Sequence, residues 1–181
     1  MDADRFLENL RERLGMFGLE LHPDKTRRIE FGRFAEQNQQ RRGEGKRETF
    51  DFLGFTHICG KNGLGRFAVR RKTIGKRMRA KLRQLKQELR ERMHDPLRQT
   101  GKWLKSVVQG HFNYYAVLGN LKSLSVFRHR ALVLWWHSIR RRSQKRRINW
   151  TRMLVLAQRW LPPPQTLHPF PDARFAASHP R

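Results

Sequence analysis

The sequence predicts an α+β chain, a small antiparallel sheet with one helix followed by an all-helical basic region. Two observations carry this. Apolar residues alternate or cluster in short runs until Lys72, where the period becomes helical. Charge divides in the same place: residues 1–65 hold 12 Lys/Arg and 11 Asp/Glu, whereas residues 66–181 hold 28 and 4. The expected organisation is an α+β piece over 1–70, a basic helical piece over 71–160 and a Pro-rich extended tail over 161–181.

In the first piece, Phe6, Leu7, Leu10, Leu14 and Phe17 recur at helical spacing, and Gly18 is a plausible stop. Leu19 and Leu21, then Ile29 and Phe31, alternate around the turn His22-Pro23-Asp24, which predicts two short strands. Residues 35–48 are polar and contain glycine, so a loop is expected. "TFDFLGFTHICG" (49–60) reads as a strand with Phe50 and Phe52 on one face and a bend at Gly54. "KNGLG" then turns the chain into a strand over 66–71. So few strands and one helix make a marginal core, and this piece is expected to be the end of something larger.

In the second piece, Ile74, Met78, Leu82, Leu85, Leu89 and Met93 form one apolar helical stripe, closed by Pro96 and Gly101. A second helix is expected from Trp103 to Leu118, with Leu104, Val107, Val108, Tyr115 and Leu118 inward and Gly119-Asn120 closing it. A third starts near Ser123, a candidate N-cap, and buries Leu124, Phe127, Ala131, Leu134 and Trp135. Asn149 is positioned to cap a fourth, which stops at three prolines.

The 181 residues carry 40 Lys/Arg against 15 Asp/Glu, a formal charge of +25. Self-repulsion on that scale is relieved by a polyanion. From Pro96 to Phe170 no acidic residue occurs, so nucleic acid is the expected partner and an anionic membrane surface the weaker one. The apolar run at 131–139 is too short to span a bilayer. The N-terminus has no signal-peptide character and the single cysteine, Cys59, allows no internal disulfide, so a reducing, cytoplasmic location is expected.

Catalytic signals are weak. Asp2 and Asp4 are not neighbours on a helix, and Asp24 and Asp51 stand alone, whereas two-metal chemistry needs converging carboxylates. No metal-ligand spacing and no phosphate loop occur, so no catalytic or metal residue is assigned. Candidate RNA contacts are Lys72, Arg77 and Lys81 beside the first apolar stripe, and Arg140, Arg141, Arg142, Lys145, Arg146 and Arg147, whose mutual repulsion phosphates would relieve. Trp150 either stacks on a base or packs in the short helix. "HFNYYAVLGN" (111–120) holds both tyrosines of the chain with His111, Asn113 and Asn120, which can hydrogen-bond without charge and are further candidate RNA contacts. Tyr114 and Tyr115 point about 100° apart on a helix. Tyr115 belongs to the apolar stripe, and Tyr114 is either a contact to RNA or a second packing residue.

These residues also carry a resemblance. "FGLELHPDKTRRIEFGR" with "TFDFLGFTH" resembles the last palm motifs of group II intron reverse transcriptases. "RRKT", "GKWLKSVVQGHFNYYAVLGN" and "RRSQKRRINW" resemble the thumb, or maturase-specific, domain of the same intron-encoded proteins. The similarity runs from Phe6 to Pro171 with its motifs in order. It implies the end of a palm followed by a helical thumb, in a protein that binds its intron RNA and assists folding and splicing. It implies that Phe52, Leu53, Gly54 and Phe55 match the primer-grip strand. It also implies, as partners, group II intron RNA or an RNA/DNA template–primer duplex. The fingers and the Tyr-Ala-Asp-Asp motif with its metal-binding aspartates would lie upstream of Met1. The chain alone is therefore expected to be non-catalytic and without a cofactor, Mg²⁺ being expected only for the full-length enzyme. Two alternatives stand beside this: the C-terminal part of a split RNA-directed DNA polymerase completed by a separate fingers–palm polypeptide, and a basic nucleic-acid-binding protein without intron preference.

Overall fold

The computed structural model describes residues 2–43, 48–142 and 148–168. Among them are six helices and a three-stranded sheet, so the chain is α+β. Compactness divides it into two units, Met1–Thr49 and Phe50–Arg181. The strand-to-helix change falls where the period switches, at Thr73–Gly75, but the compact units part earlier.

The first unit contains α1 (Asp2–Gly15) and α2 (Ala35–Arg41). No residue of α1 is buried, and Phe6, Met16 and Phe17 stand open to solvent. The strands expected around Leu19–Leu21 and Ile29–Phe31 do not form. Two alternating positions specify a strand only weakly, and side chains take up this backbone instead: the Glu30 N–H donates to Glu48 Oε2 at 2.5 Å. The loop expected over 35–48 begins as helix α2, because Glu, Gln and Arg are good helix formers whatever their polarity. Asn38 on α2 and Arg42, the residue just past its end, both donate to the Glu30 carboxylate.

The second unit opens inside β1 (Thr49–Phe52) and continues with β2 (Phe55–Lys61) and β3 (Phe67–Thr73), in the order β1-β2-β3. Leu53 (φ 46°) and Gly54 (φ 83°) form the two-residue turn between β1 and β2, both left-handed as a tight hairpin requires. The bend expected at Gly54 is thus a full reversal. β2 and β3 pair antiparallel from Phe55↔Thr73 to Lys61↔Phe67, and Asn62 Oδ1 accepts from the N–H groups of Leu64 and Arg66 in their turn.

Four helices follow: α3 (Gly75–Glu91), α4 (Leu97–Tyr115), α5 (Leu121–Arg140) and α6 (Trp150–Trp160). Each contributes a stripe to one core: Leu82, Leu85 and Leu89; Leu104, Val108 and Phe112; Leu124, Phe127, Ala131 and Trp135; Met153 and Ala157. Asn149 caps α6, its Oδ1 accepting from the Arg152 N–H at 2.9 Å.

Helix ends account for most of the remaining polar ties, as unpaired terminal carbonyls demand. Arg142 donates to Arg92 O beyond α3, and Ser138 Oγ to Leu89 O. Arg128 spans Ala157 O, Leu161 O and Pro162 O at the end of α6. The chain then returns so that the Leu167 and His168 N–H groups reach Ala116 O.

Three details differ from expectation. Gly101 lies inside α4, where the Trp160 ring packs so closely that a Cβ would sit 2.8 Å from it. A breaker by propensity is here a contact point. Ser123 is buried within α5 and does not cap it, since the helix starts two residues earlier. Leu118 is exposed, because α4 ends at Tyr115.

Candidate nucleic-acid interface

Helix α3 sorts its side chains into stripes. Beside the buried leucines, Lys76, Arg79, Arg83, Lys86 and Arg90 recur at spacings of three and four, which places them on one face. That face meets α5 along a groove. Its wider end, about 830 Å³, is lined by Lys76, Arg79, Arg83, Lys86, His129 and Arg130 over Leu82, Val133 and Leu134. A smaller hollow of about 280 Å³ shares Lys86 and Leu134 and adds Arg90, His137 and Arg141. From Lys76 to Arg90 the helix rises roughly 21 Å. Among the described residues none of the seven Lys/Arg lining the groove is paired with a carboxylate. The two acidic residues of α3 lie off this groove, Glu88 bonded by Gln84 and Glu91 by Gln87. The outcome is a cation-rimmed trough with an apolar floor of aliphatic side chains.

The opposite side of α3 faces α4 across a pocket of about 390 Å³, lined by Arg77, Lys81, Ser106, Val107, Gly110, His111, Tyr114 and Tyr115. Four of these, Arg77, Lys81, His111 and Tyr114, are sequence-predicted RNA contacts. His111 is 7 % exposed and stacks on Phe127 with ring centroids 3.7 Å apart. Burial, then the nearby Lys81 charge, pushes its pKa down to about 4, so it is neutral at pH 7. Its Nε2 has no hydrogen-bond partner. As a contact on an open surface, His111 is therefore corrected: it belongs to the pocket wall.

The tyrosines anchor the β1–β2 hairpin. The Tyr114 hydroxyl donates to Leu53 O at 2.8 Å, and its ring stacks on Phe55 at 6.0 Å and 8°. Tyr115 meets Phe55 edge-on, and burial lifts its hydroxyl pKa although the Arg77 guanidinium beside it acts in the other direction. Gly54 passes so close to both rings that a Cβ would stand 3.1 Å from Tyr115 Oη. Within the primer-grip-like stretch, Gly54 and Phe55 are buried against the tyrosines, while Phe52 and Leu53 are exposed. Tyr114 is still 51 % exposed, so one assignment does not preclude the other.

Asn120 is a correction. It is 1 % exposed, accepts from the Thr73 N–H at 3.0 Å and donates to Thr73 Oγ1 and Tyr115 O at 2.8 Å each. Both amide N–H donors are used and the side chain is buried, so it clasps β3 to the end of α4 out of reach of RNA. Asn113 is exposed, its Oδ1 held by Gln109.

The other predicted contacts are scattered. Lys72 is exposed on β3. Arg140 lies over the Trp136 ring at 4.8 Å, and Arg141 lines the lower hollow. Arg142 is partly buried in its tie to α3 and Thr100, and that burial lowers its pKa, so it holds helices together more than it faces solvent. Trp150 packs edge-on against Trp136 at 5.2 Å, which favours its packing role. Lys145, Arg146 and Arg147 lie outside the described residues.

What the sequence reading passed over is the α3/α5 groove. Its signal was present: five cations at helical spacing on α3, and Arg130, Leu134, His137 and Arg141 at the same spacing on α5. Among the described residues, no three His, Cys, Asp or Glu side chains are placed to hold a metal ion, and no helix is long and apolar enough to cross a membrane. No protein-family model, curated protein or solved structure matches the chain.

Proposed function

We propose that the chain binds RNA through the α3/α5 groove, as a maturase-type protein of the group II intron reverse transcriptase kind that assists folding and splicing of an intron RNA in the cytoplasm. The observation that carries this reading is the row of cations, none paired with a carboxylate among the described residues, over an apolar floor. Phosphates would neutralise the row at the spacing of a helical turn, and the aliphatic stems would cover the sugar edge. A-form RNA is gripped through backbone and 2′-hydroxyl contacts, which this groove suits better than base reading, since no tryptophan, tyrosine or phenylalanine lines it. The 181 residues contain no Tyr-Ala-Asp-Asp motif, and this reading assigns them RNA binding and no catalytic step.

Binding of a group II intron RNA and of a scrambled RNA of equal length, measured by filter retention across a salt series, tests this. With seven groove cations engaged on a double helix, the log–log slope is about −6, at roughly −0.9 per phosphate contact. Arg79→Gln with Arg83→Gln flattens it to about −4.5. A slope unchanged in the double variant overturns the groove as the binding surface. Equal affinity for both RNAs replaces the maturase reading with a basic nucleic-acid-binding protein of no intron preference.

A further inference from the structure

The two rims of the α3/α5 groove differ in kind. On α3 the basic side chains are all Lys or Arg, which keep their charge across neutral pH. On α5 the rim alternates: His129 and Arg130 line the wide end, His137 and Arg141 the lower hollow. His129 and His137 are both exposed, and eight residues bring them to the same face of α5, roughly 12 Å apart along its axis. His129 shares the wide end with Lys76, Arg79 and Arg83 of α3, and the Trp150 ring of α6 meets it edge-on at 6.2 Å. His137 shares the hollow with Lys86 and Arg90, and on its own helix it contacts Trp136, over which Arg140 lies. No carboxylate lines either part of the groove. The negative charge that would hold a proton on these rings has to arrive with a ligand.

We propose that His129 and His137 are phosphate contacts that take up protons as RNA enters the groove, so that the chain grips RNA more tightly as pH falls through neutrality. Imidazole is the side chain whose charge changes most readily between pH 5 and 8. A phosphate brought within about 4–6 Å favours the protonated ring. Each ring takes one proton from solvent at its unprotonated nitrogen and donates an N–H to a phosphate oxygen, and no other bond changes. The coupling is reciprocal: if RNA draws protons in, protons tighten RNA by the same factor. An uptake of about half a proton on each ring near pH 7, about one in all, tightens binding roughly tenfold per pH unit. The inference rests on the RNA-binding reading of the groove and adds its regulation by pH.

The test uses the full chain and a fully Watson–Crick-paired RNA hairpin at fixed salt. Fluorescence anisotropy gives the affinity between pH 8 and pH 6, and calorimetry in buffers of different ionisation heat counts the protons taken up. His129→Gln and His137→Gln keep a polar side chain at exposed positions and remove the titration. Each is expected to cut the pH dependence to roughly threefold per unit, and together they abolish the groove's share of both the slope and the proton uptake. His111 is walled off from the groove and titrates alike in every variant, so the difference from wild type counts the groove rings alone. The same pH slope and proton uptake in wild type and the double variant overturns the proposal. A salt response at pH 8 that Arg79→Gln with Arg83→Gln flattens would then leave the RNA reading standing. Failure to bind the hairpin at low salt at either pH overturns both.

Discussion

Acid should loosen the helical core through one side chain. His111 is stacked on Phe127 and sealed among α4, α3 and Tyr115, with Lys81 and Arg77 the charges on the facing helix. Its pKa falls from 6.5 to about 4 on folding, because burial and then Lys81 penalise the charged ring. The unfolded chain therefore binds more protons between these values, and stability rises with pH there. The contribution is fully present above pH 6.5 and is lost as pH falls towards 4. At about 1.4 kcal/mol per unit, the loss is about 2 kcal/mol by pH 5 and about 3 kcal/mol by pH 4. His111→Phe keeps an aromatic ring on Phe127 and removes the titration. Urea unfolding followed by tryptophan fluorescence reads the second unit alone, since Trp103, Trp135, Trp136, Trp150 and Trp160 all lie within it. The expected result is that the wild type loses about 2 kcal/mol more than His111→Phe between pH 7 and pH 5. The same pH dependence in both proteins would refute the argument, because the remaining histidines would then account for all of it.

Other expectations follow from the close contacts. Asn120→Ala strands the Thr73 N–H and Tyr115 O in the interior, so stability falls by roughly 2–4 kcal/mol, with a lower urea midpoint and an unchanged slope. Gly101→Ala gains helix propensity but drives a methyl into the Trp160 ring; a net loss of about 1–2 kcal/mol lowers Tm by roughly 2–8 °C, measured by circular dichroism. Gly54→Ala suffers both a left-handed backbone and a contact with Tyr115 Oη, so thermal melting should show a loss of about 1–3 kcal/mol, whereas a rise in Tm would mean the hairpin does not rest on the tyrosines.

How far the sequence could be read depends on whether a feature is periodic or pairwise. The leucine stripe of α3, the Leu124–Trp135 stripe of α5 and the Asn149 cap each follow from spacing within one element, and each is present. The strands expected at 19–21 and 29–31 rested on two positions apiece, too few to outweigh side chains that bond the same backbone. Polarity hid α2, because a short helix of Glu, Gln and Arg has no apolar stripe to show. Pairwise features left no trace at all. Asn120 meets Thr73 across 47 residues, and Tyr114 meets Leu53 across 61, so nothing near either residue announces its partner.

The segment 111–120 shows how these two kinds of information combine. From the sequence, His111, Asn113, Tyr114 and Asn120 read alike as candidates to grip an external ligand, yet the fold assigns them separately. Asn120 is consumed in clasping the sheet, Tyr115 and Gly54 close the hairpin contact, and His111 is walled in with one nitrogen unpartnered. Tyr114 keeps both a bond across to the hairpin and an open surface. Helix α3 divides its cations in the same way, five towards α5 and Arg77 with Lys81 towards α4. A uniformly solvated basic helix would have no reason to line two hollows of such different character. One is a long trough with cations on its rim, and the other is a compact aromatic pocket with an orphan polar atom. On the proposed reading, that asymmetry on a single helix would separate recognition of a shaped RNA from simple attraction to charge, and it can be tested one face at a time.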